Sequence, residues 1–360
     1  LDSLASDFTV SEDIHAAYGM FQRENDQWVW IGGLRAEWTD FETGGYETTI
    51  SRNEDGTNDL VITPVSKSGD YLKVFPGLHV LHRLSPQWVV RASLTRTLQR
   101  PDFRDLSPSL RVNLDTRRIR SGNPDLRPFD AKAVDLGTDF VLGRTGTVSL
   151  GFFAKRIDDF IVDVEEEAEY LGEPGYTWSQ PINGSPADLL GLELAWNTSL
   201  GFLASFLETT DLSLNYTWTD SSAAYPNFPE TTILLPEQVQ EVFNGSLRWK
   251  HGNWSVAFRT RYRGLRLNNL LVPGQDIFNQ GFWSHSLSLS YKASDTVSLS
   301  VGLSNMNHPG RIAYQGTTAQ LVSHRQTYQS LNLGINIRFG KGQPVAPEPE
   351  RKDNGREESE

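Results

Sequence analysis

The sequence contains no cysteine among its 360 residues. This excludes a disulfide scaffold, a zinc-thiolate site and a cysteine nucleophile. Long apolar runs are missing as well, because only 38% of the residues are hydrophobic and no stretch approaches the roughly 20 residues that a membrane-spanning helix needs. Basic residues are in deficit, and the net charge of -12 argues against nucleic acid as a partner, since phosphate binding requires a basic surface.

The chain has instead a regular alternation of apolar and polar residues, clearest at 254–263, 286–291, 296–304 and 331–339. A strand places successive side chains on opposite faces, so each stretch has one apolar and one polar wall. A membrane-spanning strand needs only about 9–11 residues and exposes every second one to lipid. The pattern predicts an all-β fold, a transmembrane antiparallel up-and-down β-barrel. Aromatic residues, 11% of the chain, suit the interfacial girdles of such a barrel, although they would also fill a soluble all-β core.

The alternation predicts about thirteen strands. They cover residues 12–23, 28–39, 73–83, 88–99, 132–142, 147–158, 188–198, 211–218, 241–250, 254–263, 282–292, 296–304 and 329–339. An odd count is rare in bacterial single-chain barrels, and an open sheet would expose unpaired edges to lipid. We therefore expect the chain to be the later part of a larger barrel, incomplete at its N-terminal end.

The connectors alternate between short and long. Short turns are predicted at 24–27, 84–87, 143–146, 251–253 and 293–295, and long loops rich in Gly, Pro, Asn, Asp and Ser at 40–72, 100–131, 159–187, 219–240, 264–281 and 305–325. Outer-membrane barrels have short periplasmic turns and longer extracellular loops, so the long connectors are expected outside the cell. Residues 199–211 break this rhythm and are expected to form a small helix or a pair of extended strand ends.

The composition changes after residue 339. Residues 340–360 are rich in Pro, Lys, Arg and Glu and have almost nothing to bury. Such a segment cannot offset the entropy lost on ordering. We predict two regions, a barrel region at 1–339 and a disordered charged tail at 340–360.

Three motifs in order carry a family resemblance. A strand ends in RPDF at 100–103, a loop contains GNPDLRP at 122–128, and a strand ends in FAKRIDDFI at 153–161. This ordered set resembles the C-terminal barrel region of TonB-dependent receptors, whose pattern is R-P-x-F, then G-N-P-x-L-x-P, then F-x-K-x-I-x-x-F-I. The resemblance extends over about residues 8–339.

The resemblance implies a plugged barrel of about 22 strands in the Gram-negative outer membrane, surrounded by lipid and lipopolysaccharide. It implies energy-coupled import of a scarce nutrient such as a siderophore, cobalamin or an oligosaccharide. The TonB energy-coupling complex would act through an N-terminal plug, and this plug is expected to lie outside the sequence. The thirteen strands would then be the later part of the barrel.

The sequence predicts no enzyme and no cofactor. The seven histidines are scattered, and His79 and His82 point to opposite faces of a strand. Adjacent carboxylates such as Asp158 and Asp159 cannot flank a substrate from two sides as a glycosidase pair must.

Arg259, Arg261 and Arg263 are the best candidates for a functional charge, because alternation places them together on the lumen wall. With Arg248 and Lys250 on the preceding strand, they would form a positive strip that attracts anionic substrates. The alternative, which the sequence favours, is that these arginines pair with carboxylates of a plug or of neighbouring strands, for example Glu37, Asp135 or Glu193.

Aromatic residues in the long connectors are further ligand candidates, because rings on the extracellular side can stack on sugars or on catechols. The alternative is that they anchor to one another or to lipid headgroups. The candidates are Tyr170, Tyr176, Trp178, Tyr225, Phe228, Phe278 and Tyr314.

Two other functional classes stay open at this point. A passive porin-like channel or a surface anchor would also need a barrel, and a soluble all-β binding module would bury the apolar rows.

Overall fold

The computed structural model describes residues 7–52, 58–143, 145–170, 172–226, 228–270 and 273–339. The predicted tail at 340–360 lies outside these residues. Within the described ranges, no helix has the length and apolar character needed to cross a membrane. Strands form nearly all of the regular structure.

The strands are, in chain order, β1 Phe8–Glu24, β2 Trp28–Arg52, β3 Asn58–Ser85, β4 Trp88–Gln99, β5 Leu110–Asn113, β6 Arg118–Ser121, β7 Phe129–Val141, β8 Gly146–Asp158, β9 Ile161–Tyr170, β10 Glu173–Asn183, β11 Ala187–Ser199, β12 Thr210–Tyr225, β13 Phe228–Ile233, β14 Glu241–His251, β15 Trp254–Arg263, β16 Arg266–Asn269, β17 Ile277–Asn279, β18 Phe282–Lys292, β19 Val297–Ser304, β20 Gly310–Gln315, β21 Leu321–Gln326 and β22 Ser330–Ile337.

One sheet contains all thirteen predicted strands, in the order β1-β2-β3-β4-β7-β8-β11-β12-β14-β15-β18-β19-β22, with β13 added beside β12. Each strand pairs antiparallel with the next along this path. The all-β class and the up-and-down order are therefore confirmed. We call this sheet the wall.

The two faces of the wall differ in polarity, because the register keeps apolar positions together across neighbouring strands. Leu136, Phe152, Leu192 and Trp218 are successive cross-strand partners on β7, β8, β11 and β12. The adjacent row, one residue along each strand, consists of Gly137, Gly151, Glu193 and Thr217. The apolar face is exposed, and on β22 Leu333 and Ile335 are 76% and 71% accessible.

Aromatic side chains gather at both ends of the apolar face. At the short-turn end, the rings of Trp254 and Tyr291 lie 4.5 Å apart. At the long-connector end, the rings of Tyr262 and Trp283 lie 4.9 Å apart. On β15, Trp254 and Tyr262 are eight positions apart, which corresponds to about 26 Å along a strand.

The connector predicted at 40–72 as a loop is a strand hairpin, and this prediction was wrong. The pairing of β2 with β3 runs without a break from Trp28 opposite His82 to Arg52 opposite Asn58. The part of β3 that precedes Gly77 in the sequence is paired with β2 alone, because the pairing of β3 with β4 covers only Gly77–Ser85. A prolonged hairpin pairs backbone groups that an irregular loop would leave to water. Pro76 is tolerated in this part of β3, where one edge is open.

The five other long connectors also contain strands where loops were predicted, and the one at 219–240 contains β13. Those at 100–131 and 159–187 form a sheet of order β5-β6-β10-β9, and those at 264–281 and 305–325 form a sheet of order β16-β17-β20-β21. We call them the first and the second connector sheet. Each is built from two connectors that are far apart in sequence, so neither connector shows its partner locally.

The small apolar core lies where the connectors meet the wall. Its buried members are Phe160, Val162, Ala187, Ala223, Tyr225, Leu267 and Leu270. The segment 199–211 forms two 3-10 turns, Leu200–Phe202 and Ser205–Leu207, so the small-helix alternative for this connector is the better description.

Candidate functional site

The polar face of the wall carries the three predicted arginines on β15. Arg259 lies opposite Ser246 of β14 and Ser286 of β18, and Arg261 lies opposite Asn244 and Ser284. Apolar residues at the intervening positions, including Val256 and Phe258, face the other way. The alternation therefore places Arg259 and Arg261 on a surface of serine and asparagine side chains, while Arg263 lies between Val242 and Phe282.

Hydrogen bonds hold the middle arginine. Arg261 Nε donates to Asn244 Oδ1 over 3.0 Å, and Asn244 Nδ2 donates to Asn215 Oδ1 over 2.8 Å. A shallow cavity of about 400 Å³ covers this part of the wall and is lined by Arg259, Arg261 and polar residues of β12, β14, β18 and β19. The side chains that line this cavity can donate several hydrogen bonds to a polar ligand.

Neighbouring carboxylates do not neutralise this row. Among the residues that the structure describes, no Asp or Glu oxygen lies within 4.0 Å of the guanidinium nitrogens of Arg259, Arg261 or Arg263. Two of the carboxylates suggested as partners are engaged elsewhere. Glu37 accepts from Arg100 and Arg35, and Asp135 accepts from Ser93. The predicted pairing with neighbouring strands is absent from the described wall.

The two further basic residues of the predicted strip share this face. Arg248 lies opposite Ala257, and Lys250 lies opposite Ser255. Both partners are on the same face of β15 as Arg259, because they are separated from it by an even number of residues. Arg248 also lies directly opposite Asp211 of β12. The strip of basic residues thus runs along β14 and β15. Asp211, the carboxylate next to it, lies at the short-turn end.

A polar cavity of about 360 Å³ lies where β15 ends and the second connector sheet begins. We call it the mouth. Four arginines line it, together with amide and hydroxyl side chains. Its arginines are Arg263, Arg266, Arg311 and Arg325, and its neutral polar residues are Asn268, Asn279, Gln280 and Ser323.

The second connector sheet brings these arginines together. Arg311 on β20 and Arg325 on β21 are direct cross-strand partners, and β17 pairs with both β16 and β20. Gly316 permits this arrangement, because its φ is +61° and a Cβ there would lie 2.0 Å from the carbonyl oxygen of Gly274. Only glycine fits such a close approach without strain.

Two of the mouth arginines have fixed orientations. Arg266 donates to Glu237 Oε2 over 2.5 Å and to Asn268 Oδ1 over 2.8 Å. The guanidinium carbon of Arg311 lies 5.6 Å from the centroid of the Phe282 ring, within the range of a cation–π contact.

Sequence reasoning identified Arg263 but missed Arg266, Arg311 and Arg325. These three lie in two connectors, and only the pairing of the connectors makes them neighbours. The residue types alone gave no signal for that pairing.

The predicted aromatic candidates are distributed over the two connector sheets and the end of β12 with its neighbour β13. Tyr176 and Trp178 lie on β10 in the first sheet. Tyr176 is buried, with its ring 5.5 Å from that of Tyr170 and 5.9 Å from the guanidinium carbon of Arg117. Trp178 donates its indole N–H to Ser121 over 2.8 Å. These contacts hold strands of the sheet together.

The other aromatic candidates stabilise the second sheet and the end of β12. Tyr225 is only 3% exposed and donates its hydroxyl to Asp276 over 2.8 Å, while the ring of Phe228 packs edge-on at 5.7 Å. Tyr314 stacks on Phe278 at 5.8 Å, and burial raises the pKa of Tyr314. Rings that contact one another in this way correspond to the anchoring alternative.

In the part of the chain that the structure describes, no group of three or more His, Asp or Glu side chains is arranged so that it could hold a metal ion. The functional groups that the described residues bring together are arginines, amides and hydroxyls. Such a set recognises anions and polar groups.

The wall, with consecutive antiparallel strands and opposite apolar and polar faces, defines a protein of the β-barrel class. The family model for the TonB dependent receptor-like β-barrel matches residues 2–306. The chain therefore belongs to this family, whose members are receptors and transporters of the outer membrane.

Solved structures with the same fold include two receptors and a transporter. The ferric-catecholate import receptor Fiu of E. coli K12 is 15% identical, with a TM-score of 0.64 over 92% of this chain and 45% of its own. The FrpB iron transporter of Neisseria meningitidis is 16% identical, with a TM-score of 0.59 over 93% and 46%.

The hemophore receptor HasR of Serratia marcescens, in complex with its hemophore and heme, is 14% identical, with a TM-score of 0.61 over 91% and 51%. The chain thus spans about half the length of these structures. No match was found among curated protein sequences.

Proposed function

We propose that the chain forms part of the barrel wall and the surface loops of a TonB-dependent receptor in the Gram-negative outer membrane. In this proposal the receptor takes up a scarce nutrient, such as a siderophore, cobalamin or an oligosaccharide. We assign residues 1–339 to the barrel and its connectors. The TonB complex would supply the energy through a plug formed by another part of the protein.

The observation that carries this proposal is the exposed apolar face of a wall whose order matches the family. Exposed leucines and isoleucines such as Leu333 and Ile335 are costly in water, because each buried apolar side chain stabilises by about 1.5–3 kcal/mol. Lipid would remove that cost. Allowing for a strand tilt of roughly 35–45°, the aromatic clusters at Trp254 and Tyr262 are about 20 Å apart along the membrane normal, close to the height of an apolar band about 25 Å tall.

The opposite face supports a role in uptake. Its asparagines, serines and arginines without a carboxylate partner lie on the side that would face the lumen, where a polar nutrient would pass. Lipid and lipopolysaccharide would contact only the apolar face and its rim. The proposed role is binding and transport, with no chemical step.

The proposal predicts that uptake depends on energy coupling. Cells that produce the protein as their sole importer of a nutrient should take up that nutrient when TonB is present. A strain without TonB should take up at least about tenfold less, since passage through a plugged barrel needs the energy complex. Radiolabelled or fluorescent candidate nutrients, tested one at a time, would measure this.

Other outcomes would favour the alternatives. Uptake that is equal with and without TonB, together with steady ion conductance in planar bilayers, would indicate a passive channel. Membrane insertion without transport of any tested nutrient would indicate a surface anchor. If the protein stayed soluble and monomeric without detergent, the apolar rows would have to be buried, and a soluble binding module would replace the receptor.

A further inference from the structure

The mouth holds more positive charge than its neighbours balance. Four guanidinium groups line a cavity of about 360 Å³. Arg266 is the one of the four that forms an ion pair with a described residue, and its partner is Glu237. An arginine stays protonated at every physiological pH, so the charge cannot be relieved by loss of a proton.

The register of the second connector sheet increases this imbalance. Arg311 and Arg325 face each other across β20 and β21. Side chains in that relation have Cβ atoms about 4.5–5.5 Å apart, and like charges placed there destabilise a sheet. The contact between Arg311 and Phe282 orients one guanidinium but does not cancel its charge.

The groups around these arginines are suited to a multivalent anion. Asn268 Oδ1 accepts from both Arg266 and Asn279, each over 2.8 Å, which fixes their donors at the cavity wall. Guanidinium groups bind carboxylates and phosphates through paired N–H donors, and these charge-assisted bonds are stronger than neutral ones. A volume of about 360 Å³ is at the lower end of the range for small-molecule sites.

We propose that the mouth binds a compact small molecule with at least two carboxylate or phosphate groups, and that the row formed by Arg259 and Arg261 continues this anion path into the lumen. The inference rests on the proposed function, since it names the chemical class of nutrient that the receptor would take. The anion supplies the countercharge that Arg311 and Arg325 lack.

Calorimetric titration of the detergent-solubilised protein tests the inference. Citrate and pyrophosphate are the probes for carboxylate and phosphate groups, and maltose is a neutral control. At low salt we expect citrate or pyrophosphate to bind while maltose gives no signal. Loss of one charge-assisted contact corresponds to about 10- to 100-fold in affinity, so R311Q and R325Q should each weaken binding by that factor.

The matched control is R91Q, which changes a wall arginine paired with Asp139 and should leave anion affinity within about twofold. A second measurement uses the unmodified protein, in case a variant fails to fold. The bound probe should raise the thermal midpoint of unfolding at low salt, and the rise should disappear in about 0.5 M sodium chloride, because salt screens these charges.

Equal affinities of R311Q, R325Q and the unmodified protein would overturn the inference, as would a failure of both anions to bind or to stabilise. Binding to one anion but not to the other would identify the acidic group. Because binding is measured in detergent, a failure here leaves TonB-dependent uptake untouched. Loss of TonB dependence in cells would overturn the proposed function instead.

Discussion

Arginines occur both near β2, β4 and β7 and around β15 and the mouth, but the two regions differ in whether these arginines have carboxylate partners. Near β2, β4 and β7, the arginines of the wall form ion pairs with carboxylates. Arg100 contacts Glu12 at 3.0 Å and Glu37 at 2.8 Å, and Arg91 contacts Asp139. On β15 and around the mouth, Arg259, Arg261, Arg263, Arg311 and Arg325 have no such partner among the described residues.

This difference separates charges that hold the wall together from charges that are available to a ligand. Arg100 is 24% exposed in its side chain and also donates to Thr39 and the hydroxyl of Tyr71. Removing one member of a partly buried network leaves the other members without compensation. An exposed arginine that has no carboxylate partner can be removed at little cost to the fold.

The largest expected effect tests this separation directly. Arg100→Ala should lower the free energy of unfolding by about 2–3 kcal/mol, because Glu12 and Glu37 lose their shared partner. Arg259→Ala should change it by no more than about 0.5 kcal/mol. Urea unfolding of the refolded protein in lipid or detergent measures both, and equal losses would erase the distinction between the two regions.

Removing one arginine from each region should change the free energy of unfolding by a smaller amount and in opposite directions. Arg91→Gln breaks the exposed pair with Asp139 and should destabilise by about 0.2–1 kcal/mol. Arg325→Gln removes the repulsion with Arg311 and should stabilise the unliganded protein by a similar amount, about 0.2–1 kcal/mol. Thermal unfolding at low salt compares the two variants. A destabilised Arg325→Gln would mean that an unobserved partner neutralises the mouth.

The smallest effect concerns a paired charge that is not buried. Asp295 accepts from Lys292 over 2.6 Å in the turn between β18 and β19, and this bond holds the pKa of Asp295 below its ordinary value. The pair's stabilisation is therefore complete above the unfolded pKa and is lost as the pH falls through the folded pKa.

We expect Asp295→Asn to leave the free energy of unfolding unchanged within error, because exposed ion pairs contribute little to stability. In the unmodified protein, NMR titration of the Asp295 carboxyl should show its lowered pKa. A clear loss of stability in this variant would show that pairing stabilises even without burial.

The wall could be predicted from the sequence because its signal is local. Alternation at a period of two places Val256 and Phe258 on one face of β15 and Arg259 on the other, with no knowledge of any partner strand. All thirteen predicted strands are present in the wall. The connector motif at 122–128 and its neighbours likewise pointed to the family that matches residues 2–306.

The connector sheets could not be predicted in the same way, because their pairing joins distant segments. Thr177 of β10 pairs with Arg118 of β6 in parallel, and Ile277 of β17 pairs with Gln315 of β20. Gly- and Pro-rich composition favours loops at the level of single residues, and it conceals these strands. Arg266, Arg311 and Arg325 were missed for this reason, since they become neighbours only through such pairing.

The central claim is that alternate residues of the wall face two different solvents. The sequence has no cysteine, so single cysteines at Val256, Leu299, Arg259 and Ser300 can carry spin labels without interference. In lipid bilayers we expect labels at 256 and 299 to be accessible to oxygen, and labels at 259 and 300 to be accessible to a water-soluble nickel complex. The reverse pattern, or no difference between the two sets, would contradict the account.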